Sequence, residues 1–138
     1  MSAPEIVIHA PRSLPLRRRM LGRLVVAAAR LLATQPPGRI RAMLRFLRRG
    51  SRPATYAEAK AARDTVVAVS LVCAAREGCL PRSLATILLC RLHGRWAAWC
   101  VGARRVPPFG AHAWVEVDGV PVDEPYPPDY FRTLFTVP

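Results

Sequence analysis

Hydrophobic and polar positions divide this chain into a helical first half and a strand-bearing second half. Over residues 16–33 apolar side chains recur three and four apart, with Leu21, Leu24, Val25, Ala28, Leu31 and Leu32 on one stripe and the arginines largely off it. That period predicts an amphipathic helix that packs by its stripe and solvates its basic face. Gln35-Pro36-Pro37-Gly38 interrupts it. Ile40, Met43, Leu44 and Leu47 then mark a second helix over residues 39–48, ended by Gly50-Ser51-Arg52-Pro53. Thr55 and Glu58 stand at capping-box spacing and open a third helix over residues 56–75. Because it turns almost continuously apolar after Val66, its C-terminal half is expected to be buried.

A fourth helix is expected just past Gly78, where Cys79 and Pro81 precede Leu84, Ala85, Ile87, Leu88 and Leu89. Proline suits a first helical turn, since its missing N–H would have had no partner there. Beyond Gly94 the apolar period changes to two. WAAWCVG predicts a strand over residues 96–101 and RRVPPFG a loop over 104–110. In HAWVEV, Ala113, Val115 and Val117 alternate with His112, Trp114 and Glu116, so the two sets occupy opposite faces of a strand. Asp118-Gly119 before VPV signals a hairpin. The aromatic tail YPPDYFRTLF is expected to pack on the core or line a groove. Residues 6–9 read as a short strand between prolines, and His9 as a structural or surface residue.

Composition narrows the class. A chain of 138 residues fits one domain with a real core, and 51% hydrophobic residues argue against disorder despite 14 prolines. The net charge of +12 comes from 21 Lys and Arg, all but Lys60 arginine, against 9 Asp and Glu. Such a surface favours an acidic partner. Nucleic acid is one candidate, but the chain has no zinc-finger spacing, aromatic RNA-binding motif or glycine-rich phosphate loop. Arg17, Arg18 and Arg19 before LGRLVVAAARLLA imitate a signal peptide, yet Arg23 and Arg30 interrupt an apolar run already too short to span a bilayer. The expectation is a cytoplasmic protein without stable membrane insertion, its cysteines 73, 79, 90 and 100 reduced.

Three residues then carry chemistry. Cys79 at a helix N-terminus meets unpaired backbone N–H groups and the positive end of the dipole, which favour thiolate, and Arg76 and Arg82 add charge. The same N–H groups suit an oxyanion. His112 sits on the HAWVEV strand, and the hairpin brings the chain back toward it. A carboxylate there would fix the imidazole tautomer while the other ring nitrogen meets the thiol. Asp123 ends the hairpin; Glu124 is adjacent, and at most one of the two can face His112 if the strand stays extended. Glu116, on the face of His112, is a further alternative. A rival metal site from Cys73, Cys79, Cys90 and His93 matches no familiar zinc spacing.

CLPRSLA around Cys79, FGAHAWVEVDG from Phe109 and the VDEP that contains Asp123 together resemble the transglutaminase-like leader peptidases of lasso peptide biosynthesis, in the form where the peptidase is a separate small protein. The resemblance is close over the C-terminal half and general over the helical half. It implies a cysteine nucleophile at Cys79, a base at His112 and a third triad member at Asp123, with no cofactor or metal. It also implies a leader–core precursor peptide as substrate, a leader-recognition protein acting in trans, and the lasso cyclase as a further partner. The expected fold is α+β, a single domain over residues 1–138. A helical N-terminal region over 1–53 packs on a transglutaminase-like or papain-like catalytic core over 54–138 with a small antiparallel sheet. Transfer of the thioester to an amine, by an acyltransferase or cyclase, is the alternative outcome of the same chemistry.

Overall fold

In the computed structural model, which describes residues 14–127 and 129–138, a central helix carries the core. The strand expected over residues 6–9, and His9, lie outside the described residues. That helix, α5 (Cys79–Leu92), is packed by α1 (Leu16–Leu32) and α3 (Tyr56–Val69) on one side and by the sheet on the other. Surrounded in this way, it is apolar over most of its circumference, with Leu84, Ala85, Ile87 and Leu89 all buried. α2 (Pro37–Leu47) runs outside this group and reaches the last strand.

The four-stranded sheet is antiparallel, in the order β5 (Val120–Pro121), β4 (Ala111–Val117), β3 (Ala98–Arg104), β6 (Phe131–Val137). Separately, β1 (Arg52–Pro53) and β2 (Arg95–Trp96) form a short parallel bridge. The architecture is mixed α+β as the pattern implied. β4 divides as its alternation requires: Ala113, Val115 and Val117 enter the core, while His112 and Trp114 occupy the other face. The Asp118-Gly119 turn has positive φ at both residues and returns the chain as a two-residue hairpin. The capping box at α3 is complete, with Glu58 N–H donating to Thr55 Oγ1 at 3.1 Å and Thr55 N–H to Glu58 Oε1 at 3.0 Å. One cross-layer bond ties sheet to helix: buried Trp99 donates from Nε1 to Ser83 Oγ at 3.0 Å.

Three expectations change. First, the inward face of α1 is Gly22, Val25, Val26, Ala29 and Leu32; Leu24, Ala28 and Leu31 are exposed. Gly22 explains the rotation, because a Cβ there would already lie 3.2 Å from Thr65 Cγ2 and Val69 Cγ2, so this is the face along which α1 comes closest to α3. Second, the third helix stops at Val69. Ser70 is extended (φ −138°, ψ 117°), and its Oγ accepts from Cys73 N–H at 3.2 Å to start a new turn, α4 (Leu71–Ala74). The apolar run therefore splits, with Cys73 buried and Leu71 90% exposed.

Third, the aromatic tail enters a strand from Phe131 onward. A bulge between Val101 and Gly102 shifts its register so that Thr133 opposes Gly102 and Phe135 opposes Val101. Phe131 consequently stacks on the outer face with His112, whereas Phe135 contacts Trp99 and Val137 is fully buried on the inner face. The extra residue, Leu134, projects into solvent. That break in alternation hides the strand from a period-two reading. The strand expected over 96–101 divides at Ala97: Trp96, in β2, pairs with Pro53, and β3 runs from Ala98 on to Arg104, as far as β6 supplies partners.

Candidate active site

The start of α5 is set by what surrounds Gly78. Its N–H donates to Ala75 O at 3.0 Å, and Arg82 N–H closes the first helical turn on Gly78 O at 2.9 Å. A Cβ on residue 78 would stand 1.9 Å from Val72 O, so α4 and α5 can abut only through glycine. Beneath them the buried Arg82 guanidinium donates from Nη1 to Cys73 O at 3.0 Å and Ala75 O at 3.1 Å, filling orphan carbonyls at the end of α4. Cys79 is thereby held at the first position of the helix, with Pro81 in the first turn as expected. Among the described residues no side chain caps this terminus, where the Cys79 and Leu80 N–H groups have no helical acceptor.

His112, from β4, meets this terminus. The imidazole and the Ala113 backbone N–H both come near enough to the Cys79 thiol to lower its pKa. On its far side, His112 Nε2 lies 3.1 Å from Glu124 Oε2, and both side chains are only 8% exposed. Nδ1 is left as the ring nitrogen available to sulfur. For Cys79, burial is the largest influence and pushes the thiol up; the bond to His112, the Ala113 N–H and the charges of His112 and Arg82 together outweigh it, and the thiol falls below its ordinary value. For His112, burial pushes down, but the bonds to Cys79 and Glu124 and their negative charge hold the imidazole up at about 9. The two shifts act in the same sense, toward thiolate beside imidazolium.

Aromatic rings enclose the imidazole. Phe131 stacks on it at 4.6 Å between ring centres, Trp114 at 5.8 Å, and Tyr126 meets it edge-on at 5.3 Å. These rings cover the imidazole on its face and edge and restrict it to one plane.

The structure brings Cys79 and His112 together and turns Asp123 elsewhere. β5 ends at Pro121, so the chain is no longer extended where the carboxylates fall. Asp123 takes a left-handed backbone (φ 53°), its N–H donates to Tyr56 Oη at 3.1 Å, and its carboxylate lies 3.4 Å from Arg63 Nη1 and 3.6 Å from Lys60 Nζ, all on α3. This clamp sends Asp123 outward and the next residue, Glu124, inward to His112. Glu116 accepts from Trp114 Nε1 at 2.9 Å and makes no bond to His112. Of the two arginines expected to assist the thiolate, Arg82 is buried beside it and Arg76 is exposed.

Glu124 stood in the sequence only as an alternative to Asp123, and the strut formed by Arg82 and the stacking of Phe131 and Tyr126 were not assigned from it. The φ-positive position that swaps the two carboxylates leaves only a weak trace there, an aspartate following a two-residue return strand. Among the described residues, Cys73, Cys90 and Cys100 are buried, free and without an imidazole partner. Among the described residues, no three His, Cys, Asp or Glu side chains gather closely enough to hold a metal ion, and no helix is long and apolar enough to cross a membrane.

A family model described as transglutaminase-like superfamily matches residues 22–136. No curated protein and no solved structure matches the chain.

Proposed function

The chain belongs to the transglutaminase-like superfamily, and from that premise we propose that it is a cysteine peptidase that removes the leader from a ribosomally made lasso peptide precursor. The observation that carries the chemistry is the line of Cys79 thiol, His112 imidazole and Glu124 carboxylate at the open N-terminus of α5. Cys79 is the nucleophile, His112 the base and later the acid, and Glu124 the residue that fixes the ring. The resemblance of CLPRSLA, FGAHAWVEVDG and VDEP supports the lasso assignment. A leader-recognition protein and the lasso cyclase are the partners this reading carries with it.

The Cys79 thiolate attacks the carbonyl carbon at the leader–core junction, and the oxyanion settles against the Cys79 and Leu80 N–H groups. Protonated His112 gives its proton to the departing core amine. A thioester to the leader remains. Water, relieved of a proton by His112, attacks that thioester, releases the leader as a carboxylate and restores the thiol. Glu124 keeps its bond to Nε2 throughout, so Nδ1 stays aimed at sulfur.

Mass spectrometry of a leader-bearing precursor incubated with this protein and its leader-binding partner tests the reading. One cut at the junction, giving a free leader carboxylate and lost in Cys79→Ser, supports it. An intact peptide would overturn it, and a leader joined to an added amine would make the protein an acyltransferase.

A further inference from the structure

Helix α1 carries two apolar faces. The first packs inward, as described above. The second consists of Leu16, Met20, Leu24, Ala27 and Leu31, of which the four large side chains are 73%, 58%, 68% and 71% exposed and Ala27 is also exposed. At about 100° per residue these five fall within an arc of about 80°, on the side of the helix away from the core. From Met20 the steps are four, three and four, the spacing of the a and d positions in a coiled-coil seam. Arg23 and Arg30 then take the flanking g positions, Arg19 lies on the same side and Arg17 on the other. The helix contains no acidic residue, and none of these four arginines forms an ion pair among the described residues.

We propose that this face docks an amphipathic helix from a partner protein, one whose apolar seam is flanked by glutamate or aspartate. Flanking charges select partner and orientation in such pairs, and four arginines beside one seam select acidic residues. A second copy of α1 fits poorly, because an antiparallel pairing would set arginine against arginine. A bilayer fits less well than a helix, because the stripe is narrow and holds no Trp or Tyr to sit at the headgroup level. The inference stands apart from the peptidase reading, since α1 contributes nothing to the Cys79 site.

The probe is a labelled three-heptad synthetic peptide with leucine at a and d and glutamate at e and g, compared by fluorescence anisotropy with a twin carrying lysine at e and g. The whole protein should bind the glutamate peptide at least tenfold tighter than its twin. Leu24→Glu should weaken it at least tenfold, whereas Leu71→Glu, at a still more exposed leucine on α4, should not. Arg23→Glu with Arg30→Glu should reverse the preference between the peptides. Thermal melts check folding, and Leu24→Ala serves if Leu24→Glu is unfolded. Equal binding of the two peptides, or binding indifferent to both Leu24 variants, overturns the proposal. So does Leu24-dependent binding to phosphatidylglycerol vesicles that the glutamate peptide fails to displace, which would assign the face to a membrane. A Leu24-dependent dimer in sedimentation would assign it to a second copy.

Discussion

Two cysteines lie on α5, one at each end, and they differ in every respect that matters for chemistry. Cys79 opens the helix at the positive end of its dipole, half-buried, with His112 and the Ala113 N–H lowering its thiol below the ordinary value. Cys90 is in the last turn, almost wholly buried between apolar neighbours, and burial, with the charge of Glu58, pushes it up to about 12. Both thiols pay for desolvation; only one finds a donor and a cation to offset it. Reactivity is therefore a property of the end of the helix and of what β4 brings to it.

The largest effect should come from exchanging the two ends. Cys79→Ser should lower turnover at least about 10³-fold, because the alkoxide it needs is not formed beside His112, while Cys90→Ser should leave cleavage within a few-fold. Alkylation of the folded protein by iodoacetamide at neutral pH, read by peptide mapping, should modify Cys79 and spare Cys73, Cys90 and Cys100 until denaturant is added. Labelling of Cys90 as fast as Cys79 would end the comparison.

The pH profile sharpens it. Turnover should rise as Cys79 ionises below its ordinary 9.0 and fall as His112 loses its proton near pH 9. The sign of the stability term follows. The imidazole is raised from 6.5 to about 9 on folding, so its stabilisation is complete below about pH 6.5 and is lost as pH rises through about 9. Glu124→Gln removes a charge and weakens a bond that hold the imidazole up. The alkaline limb should move to lower pH and kcat/KM should fall on the order of 10²-fold. An unmoved limb would mean that Glu124 does not tune His112.

Gly78→Ala comes next. The new methyl would collide with Val72 O, so α5 must shift from α4, at a cost of about 1–3 kcal/mol in stability. A thermal melt measures that cost. Because Cys79 is the next residue, iodoacetamide labelling of the variant should slow as well; an unchanged melt and an unchanged labelling rate would show that the abutment does not place the thiol.

Much of this was legible beforehand. The helix starts at Cys79 and Tyr56, the Asp118-Gly119 hairpin and the two faces of β4 follow from local patterns, and Cys79 and His112 follow from chemistry placed on those elements. What was hidden depends on contacts distant in sequence. The roll of α1 is set by its close approach to α3 at Gly22, the break at Ser70 by a side-chain cap inside an apolar run, and β6 by a bulge against β3. That Glu124 rather than Asp123 meets His112 belongs with these, because three groups on α3 decide which way residue 123 points.

That last point yields the smallest and most discriminating effect. Asp123→Asn removes the charge that faces Lys60 and Arg63 but keeps a residue tolerant of left-handed backbone, so the turn that delivers Glu124 should survive. The carboxylate is 46% exposed, and ion pairs so well solvated contribute less than about 1 kcal/mol. Even if all of that appeared in the transition state, turnover would fall no more than about fivefold. The alkaline limb of the pH profile should not move, since Asp123 makes no bond to His112. A loss as deep as that of Glu124→Gln, with the same shift of the limb, would return Asp123 to the third place in the triad and make Glu124 its support.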